Sequence, residues 1–412
     1  MSEEIANLLE LVTAGEWGNN QGTPGGVDTG VIRSANFTKD HQFNAKEIVV
    51  RSIEERKRQK KMLKHGDILI EKSGGSPDQP VGRVLFYDLK GEHTCSNFIS
   101  ILRPSQQVDP KFLYYSLCNL YGRGVVKNYQ QQTTGIINLQ LGEYLRETIY
   151  HPPLPEQKKI AEILSGIDTE IESLSKAIDL HRKTRNALIE SIFEDGHKKA
   201  ENGSNEWKVW SIEDLLASTA TPMRSGPFGS ALLKEELAKE GIPFLGIDNV
   251  RTEEFVLNFK RFLTDEKFKE LRRYEVFPQD VMITIMGTVG RSCVVPEGIG
   301  PCVSSKHTWT MTFDHSKVAP EIVCWHLNHY GRTRTKFLES SQGGVMDAIS
   351  SLTLRETKIP IPTSRVFAEQ IVGHYKSSHN HEQALNDKFR KIKLLKNAVS
   401  SDLLSGRKRV TI

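Results

Sequence analysis

The chain contains one sequence pattern twice, with the second copy about 210 residues after the first. Residues 145–148, Leu-Arg-Glu-Thr, recur letter for letter at 354–357. Each copy is followed by a short proline-punctuated segment and then by a long helical pattern. The other matching pairs occur in the same order: 66–70 with 279–283, 81–83 with 289–291, 109–113 with 319–323, and 132–138 with 341–347. The shared order and spacing argue against chance and predict a globular unit followed by a long helix, twice over.

The predicted fold class is α+β, with two globular mixed α/β units, two long helices and an internal pseudo-two-fold repeat. Short apolar runs at 81–86, 98–102 and 281–285 are typical of buried strands, and glycines mark the turns between them. A polar stretch before Trp207 indicates a linker between the halves. The predicted bounds are 1–151 for the first globular unit, 152–196 for the first long helix, 197–206 for the linker, 207–362 for the second globular unit and 363–412 for the second long helix.

The long helices carry apolar residues at steps of three and four, which places these residues along one face. A helix from 156 to 193 would be about 57 Å long, which exceeds ordinary globular helices and requires a partner of similar length. We therefore predict an antiparallel coiled coil, in which His374 and His381 set the register as polar seam residues; a pH switch or a metal site is the alternative. The residues predicted to pack are Ile160, Ile167, Ile171, Leu174, Ile178 and Leu188 in the first helix and Ile371, Leu385, Ile392 and Leu395 in the second.

An antiparallel helix pair would place the globular units at its two ends, related by an approximate two-fold axis. B-DNA rises about 3.4 Å per base pair, and two linked modules read half-sites about one helical turn apart. The helices are therefore predicted to act as a spacer that sets the distance between two DNA-reading units.

Composition gives weaker indications. The 412 residues carry a formal net charge of +4, but Lys and Arg are concentrated between Arg51 and Lys64, which indicates either a solvated surface or a phosphate-attracting one. Five cysteines without a Cys-x-x-Cys pair predict free thiols in a reducing cytoplasm. No apolar run reaches the ~18 residues of a membrane helix, and the N-terminus lacks a signal-peptide pattern, so we expect a cytoplasmic protein without a membrane partner.

Polar and basic loop residues supply the candidate DNA contacts, because Arg, Asn, Gln, Ser and Thr read base edges while Lys, Arg and glycine-rich loops bind phosphates. An ordinary solvated loop is the competing interpretation. The first-unit candidates are Lys72, Ser73, Gly74, Ser76, Arg83, Gln130, Gln131, Gln132, Thr133 and Thr134. The second-unit candidates are Arg224, Ser225, Thr288, Arg291, Ser305, Lys306, His307, Gln342 and Gly343.

Catalytic signatures are missing from the sequence. There is no P-loop, no GxGxxG turn and no HExxH motif. Cys324, His326 and His329 lie close together, but no second ligand pair follows, so we predict no metal site. Two alternatives remain open: a nuclease or methyltransferase using acidic residues such as Asp248 and Asp280, and a non-DNA scaffold built on the paired helices.

Several segments closely resemble the specificity subunits of type I restriction–modification systems. The strongest is Pro-Pro-Leu-Pro-Glu-Gln at 152–157, which leads directly into the helical sequence at 158–168. The remaining segments lie at 225–230, 241–244, 287–291 and 403–406. The resemblance extends from about Gly66 to the end of the chain, whereas Trp17 and Gly18 only approximate the usual start of a first unit.

This resemblance implies a non-catalytic subunit in which each globular unit is a target-recognition domain for one half of a split, asymmetric DNA site. It further implies that the helices space these domains and dock two modification (methyltransferase) subunits, which restriction subunits with translocase and nuclease activity then join. On this basis the chain itself binds no cofactor, and S-adenosylmethionine, ATP and Mg²⁺ are expected on the partner subunits.

Overall fold

The computed structural model describes residues 2–38, 43–44, 48–76, 79–133, 136–341 and 349–411. The chain divides into two compact units by its internal contacts. The first unit comprises Met1–Ser175 together with Asp387–Ile412, and the second comprises Lys176–Asn386. Each long helix therefore contributes one segment to each unit.

The first unit is built from small sheets and short helices. Its strands are β1 (Ser2–Glu4), β2 (Leu9–Ala14), β3 (Asn19–Asn20), β4 (Gly26–Ile32), β5 (Val49–Glu54), β6 (Ile68–Glu71), β7 (Ser73–Gly75), β8 (Val84–Phe86), β9 (His93–Cys95), β10 (Ile99–Pro104), β11 (Gln130–Thr133), β12 (Ile136–Leu139) and β13 (Thr148–Tyr150). Its helices are α1 (Glu55–Lys61), α2 (Pro110–Gly122), α3 (Leu141–Tyr144) and the first part of α4 (Leu154–Glu201).

The central sheet of the first unit has the strand order β2-β10-β6-β8, and all neighbours are antiparallel. The first three residues of β6, Ile68 to Ile70, are apolar, which suits a strand with both faces covered. Ile68 and Ile70 pack in a core with Phe112 of α2, whereas Leu69 packs with Ile101 in a second core. The other sheets have the orders β3-β5-β4-β9, β11-β12-β7 and β1-β13.

The second unit repeats this plan. Its strands are β14 (Trp207–Ser211), β15 (Met223–Ser225), β16 (Ile242–Leu245), β17 (Val250–Arg251), β18 (Glu254–Phe255), β19 (Phe262–Leu263), β20 (Val281–Thr284), β21 (Ser292–Val294), β22 (Val303–Ser304), β23 (Thr308–Met311) and β24 (Lys358–Pro362). Its helices are α5 (Ile212–Leu215), α6 (Asp265–Leu271), α7 (Pro320–His329), α8 (Gly331–Ser341), α9 (Ser351–Arg355) and part of α10 (Arg365–Leu404). The central order β15-β23-β20-β21 matches β2-β10-β6-β8 strand for strand, which confirms the predicted α+β repeat.

The long helices pair antiparallel within each unit, as predicted. In the first unit Lys388 Nζ lies 2.8 Å from Glu170 Oε1. In the second unit the rings of His181 and His381 lie 5.1 Å apart, and Arg182 Nη2 lies 2.9 Å from Glu382 Oε1. The early residues of α4 therefore meet the late residues of α10 in the first unit, and the late residues of α4 meet the early residues of α10 in the second.

The predicted packing residues of α4 are correct in the first half of the helix. In its second half the prediction places the buried face at the wrong angle around the helix axis. Ile160, Ile171, Leu174 and Ile178 are buried. Leu188 is 58% exposed, because ten residues beyond Ile178 is not a whole number of 3.6-residue turns. The buried residues are instead Ile189 and Phe193.

The second helix needs similar corrections. Leu395 is 55% exposed and does not pack, and His374 is exposed rather than in the seam. His381 is also exposed at its edge, although its ring contacts His181. The remaining predicted packing residues are half-buried: Ile167, Ile371, Leu385 and Ile392.

Helix α4 is also longer than predicted. It runs to Glu201, so the first five residues of the proposed linker 197–206 are helical. Gly203 then adopts a positive φ of 78°, which turns the chain toward β14 at Trp207. The predicted domain bounds otherwise stay a prediction.

The residues after α10 close on the start of α4 within the first unit. The Arg409 guanidinium forms two hydrogen bonds of 2.6 and 2.7 Å with the buried carboxylate of Glu156 and thereby lowers its pKa. In the second unit the Thr363 hydroxyl, just before α10, donates to the Asn205 carbonyl after α4.

Candidate nucleic-acid interface

The first-unit candidates gather at the end of β6. Strand β12 pairs with β11 on one side and with β7 on the other, so Asn138 lies opposite both Gln131 and Ser73. The Ser73 hydroxyl donates to the Asn138 side-chain oxygen at 2.6 Å. Two segments that are more than fifty residues apart in sequence therefore form one polar surface.

The side chains on this surface are available to a ligand. Gln131, Gln132, Gly74 and Ser76 are exposed, while Lys72, Ser73 and Gln130 are half-buried. Thr134 lies outside the described residues, and Thr133 is described only in its backbone. The amide groups of Gln131 and Gln132 can both donate and accept hydrogen bonds, which is the capacity that reading base edges requires.

The second unit has an equivalent edge at the end of β20. The Ile285 N–H donates to the His307 carbonyl at 3.0 Å, as Lys72 N–H does to the Phe98 carbonyl at 2.9 Å. Arg291 and Lys306 are exposed at this edge, and Thr288 and His307 are half-buried. Burial, followed by the nearby Lys306 charge, lowers the pKa of His307, which favours its neutral form. Gln342 and Gly343 lie outside the described residues.

Four candidates are wrong, because their side chains are engaged inside the protein. The Arg83 guanidinium is buried and binds both carboxylate oxygens of Glu71 at 2.6 and 2.7 Å. Arg224 is buried against Asp280. Ser225 and Ser305 are also buried, so their hydroxyls do not face solvent.

Arg224 belongs to a structural arrangement that both units contain. An aspartate precedes the central strand in each unit: Asp67 before β6 and Asp280 before β20. Arg103 of β10 binds Asp67 with two hydrogen bonds of 2.7 Å. In the second unit Thr312 takes the place of Arg103 and donates to Asp280 at 2.5 Å, while Arg224 reaches the same carboxylate from β15.

Sequence reasoning missed an aromatic position that the repeat shares. A Cβ at Gly15 would collide with the Cys95 carbonyl oxygen, and one at Gly226 would collide with that of Ser304, so both positions require glycine. Two residues later the chain presents Trp17 in the first unit and Phe228, which is 62% exposed, in the second. The signal was available as a repeated Gly-x-aromatic-Gly pattern at 15–18 and 226–229.

In the basic segment 51–64, which precedes β6, some side chains form ion pairs within the protein and others are exposed. Lys61 Nζ binds Glu16 Oε2 at 2.9 Å, and Arg58 pairs with Glu55 and Glu92. Arg56 and Lys60 are exposed on α1 and have no ion-pair partner within the described part of the chain. Arg56 and Lys60 thus remain available to attract phosphate.

The alternative catalytic interpretation finds no support in the acidic residues it invoked. Asp280 is paired with Arg224, and Asp248 is paired with Arg261. His326 is buried and its pKa falls to about 3, chiefly because of that burial. Among the described residues no group of three or more His, Cys, Asp or Glu side chains is arranged to hold a metal ion. No helix in the same residues is long and apolar enough to cross a membrane.

Comparison with known proteins finds a family model that matches part of the chain, together with several similar proteins. Residues 19–181 match the model of the type I restriction modification DNA specificity domain. A putative type I restriction enzyme MjaX specificity subunit from Methanocaldococcus jannaschii is 25% identical over 72% of this chain and 68% of its own length. The type I restriction enzyme MjaVIII specificity subunit from the same organism is 22% identical over 76% of this chain and 74% of its own.

Solved structures show the same fold. The type I restriction–modification S subunit from M. genitalium superposes with a TM-score of 0.58 at 16% identity, covering 98% of this chain and 96% of that one. A chain from a structure of type I restriction–modification complex assembly gives a TM-score of 0.57 at 12% identity, with 99% and 98% covered.

The two units share one strand order, and each ends its central strand in a polar edge. The chain is similar to the specificity subunits of type I restriction–modification systems in sequence and in fold. Its function is DNA sequence recognition, and it is a non-catalytic subunit, as the sequence predicted.

Proposed function

We propose that each unit reads one half of a split DNA site. The observation that carries the proposal is the difference between the two equivalent edges. The strands around β6 recur around β20, but Asn97 stands at the first edge where the equivalent Lys306 stands at the second, and Arg83 is buried where the equivalent Arg291 is exposed. Equivalent frames with different contact residues are what reading two different half-sites requires.

The partners follow from the outer surfaces of the long helices. Leu180 and Leu188 of α4 and Leu394 and Leu395 of α10 are exposed apolar side chains. Exposed apolar residues of this size favour a protein partner. We propose that two modification subunits dock on these helices and that restriction subunits join through them. S-adenosylmethionine, ATP and Mg²⁺ would then be bound by those partners, and this chain would supply the DNA contacts.

Changing both Gln131 and Gln132 to alanine tests whether the first unit reads one half of the DNA site. We expect the variant, expressed with its modification subunits, to methylate a motif that is degenerate in one half and unchanged in the other. Loss of two amide contacts to bases removes discrimination at those positions, at about 1–3 kcal/mol per base pair. Sequencing of methylated adenines gives the motif directly.

The matched control changes Gln106 and Gln107, which are two exposed neighbouring glutamines in the loop between β10 and α2 of the same unit. Their replacement should leave both halves of the motif intact. Degeneracy in both halves of the Gln131/Gln132 variant would contradict the proposal that each unit reads one half.

A further inference from the structure

The tripeptide Val-Gly-Arg occupies the same place in both units. In the first unit the Glu71 N–H donates to the Arg83 carbonyl at 3.0 Å. In the second the Thr284 N–H donates to the Arg291 carbonyl at 2.9 Å. Glu71 and Thr284 both end the central strand, so the two arginines are structural equivalents.

The guanidinium group of Arg83 is hydrogen-bonded within the first unit. Glu71 neutralises its charge through two hydrogen bonds, and both residues are buried. Two further guanidinium donors reach the carbonyl oxygens of Phe37 and Ser34 at 3.0 and 3.3 Å. Arg83 therefore joins the central sheet to the turn after β4, and four of its five guanidinium N–H donors are engaged within the protein.

Arg291 has no such carboxylate partner, because Thr284 occupies the position that Glu71 occupies in the first unit. The Thr284 hydroxyl donates to the Thr288 carbonyl and accepts from the Arg291 N–H at 3.1 Å, so it serves only the turn between them. The Arg291 side chain is exposed. It has no hydrogen-bond or ion-pair partner among the residues that the structure describes.

A second pair of equivalent positions increases the difference in charge between the two edges. Ser96 N–H donates to the carbonyl that ends β4, and Ser305 N–H donates to the carbonyl that ends β16, so these serines are also equivalent. The next residue is Asn97 in the first unit and Lys306 in the second, and both are exposed. The second edge thus carries two cations without a partner among the described residues, where the first carries a buried ion pair and an amide.

We propose that Arg291 contacts DNA directly, that it serves only the half-site bound by the second unit, and that Arg83 makes no such contact. This inference rests on the proposed function, since it assumes that each unit binds one half. An unpaired guanidinium presents five donors and binds the acceptors of guanine or of a phosphate with two hydrogen bonds. Its position in the repeat, rather than its residue type alone, distinguishes it from the other arginines.

The test compares Arg291→Ala, Arg291→Lys and the control Arg365→Ala in the complete complex with its modification subunits. Arg365 is 90% exposed at the start of α10 and belongs to the same unit, so its loss changes the net charge equally. We expect Arg291→Ala to weaken binding of the specific site by about tenfold to a hundredfold. A base contact makes the motif degenerate at one position of one half, and lysine does not restore it. A phosphate contact leaves the motif intact and lowers the salt dependence of binding, and lysine largely restores affinity.

Both of these results support a DNA contact, and their difference identifies its kind. The inference is overturned if Arg291→Ala matches the wild type in motif, affinity and salt dependence while remaining folded. It is also overturned if the motif changes in the half that the Gln131/Gln132 variant alters. A wild-type complex that methylates no defined motif would instead reject the proposed function, so the two failures are distinguishable.

Discussion

Replacing Arg224 by alanine is expected to lower the free energy of unfolding by about 3–5 kcal/mol. The change leaves the fully buried carboxylate of Asp280 without its cation, retaining the 2.5 Å hydrogen bond from Thr312 and a 2.7 Å one from the Phe277 N–H. Breaking a buried pair on one side is costly because an uncompensated charge remains in a low-dielectric site. Denaturant unfolding of the complex, followed by a signal that reports on the second unit, measures the loss of unfolding free energy.

The pH dependence of this loss is a sharper readout than its size. Burial raises the pKa of Asp280, and the Arg224 guanidinium opposes that rise. Without Arg224 the folded-state pKa rises further above the unfolded value, so folding favours the protonated carboxyl. A group with a raised folded pKa contributes stability below its unfolded pKa and loses it as the pH rises. We therefore expect the deficit of the variant to be smallest near pH 4 and to grow toward pH 7.

The control for this experiment is Arg251→Ala. Arg251 is 61% exposed and lies 3.6 Å from Glu254, so its loss should cost less than about 1 kcal/mol at any pH. If Arg224→Ala cost no more than this control, the buried pair would not be a structural element of the second unit.

Lengthening both long helices by four residues, about one turn, is expected to change the number of unspecified base pairs between the half-sites by about two. The insertions belong between Glu170 and His181 in α4 and between Ser378 and Lys388 in α10, where the pairings of the two units adjoin. Four helical residues add about 6 Å, and B-DNA rises about 3.4 Å per base pair. The half-sites themselves should not change, because no edge residue is altered.

An insertion in α4 alone is the control, since it leaves one turn without a partner and should weaken folding or activity. The sequenced methylation motif reports both spacing and half-sites. A double insertion that changed either half-site would contradict the role of the helices as a spacer.

The repeat and the long helices were predictable because their signals are local. Apolar residues at steps of three and four identify a helix wherever they occur, and the stripe at Ile160 and Ile171 is buried as expected. The phase beyond Ile178 was not predictable by inspection, because Leu188 and Ile189 are adjacent and differ by about 100° around the axis. The core of the second unit, to which α10 contributes, decides which of them is buried.

The contact residues were less predictable, and the two copies of Val-Gly-Arg show the reason. Arg83 and Arg291 lie in identical tripeptides, yet one is buried and the other is exposed. The difference comes from Glu71 and Thr284, which lie on the preceding strand and cannot be recognised as partners from sequence spacing alone. The DNA-contacting residues that remain exposed stay predictions.

The central claim is that this chain determines which DNA sequence a type I system modifies. The direct measurement is methylome sequencing of cells that express the chain with its neighbouring modification subunit, compared with cells that lack only this chain. The account predicts that one bipartite adenine-methylation motif disappears when the chain is removed and returns when it is restored. An unchanged methylome in an otherwise active system would contradict it and would leave a scaffold that does not read DNA as the better description.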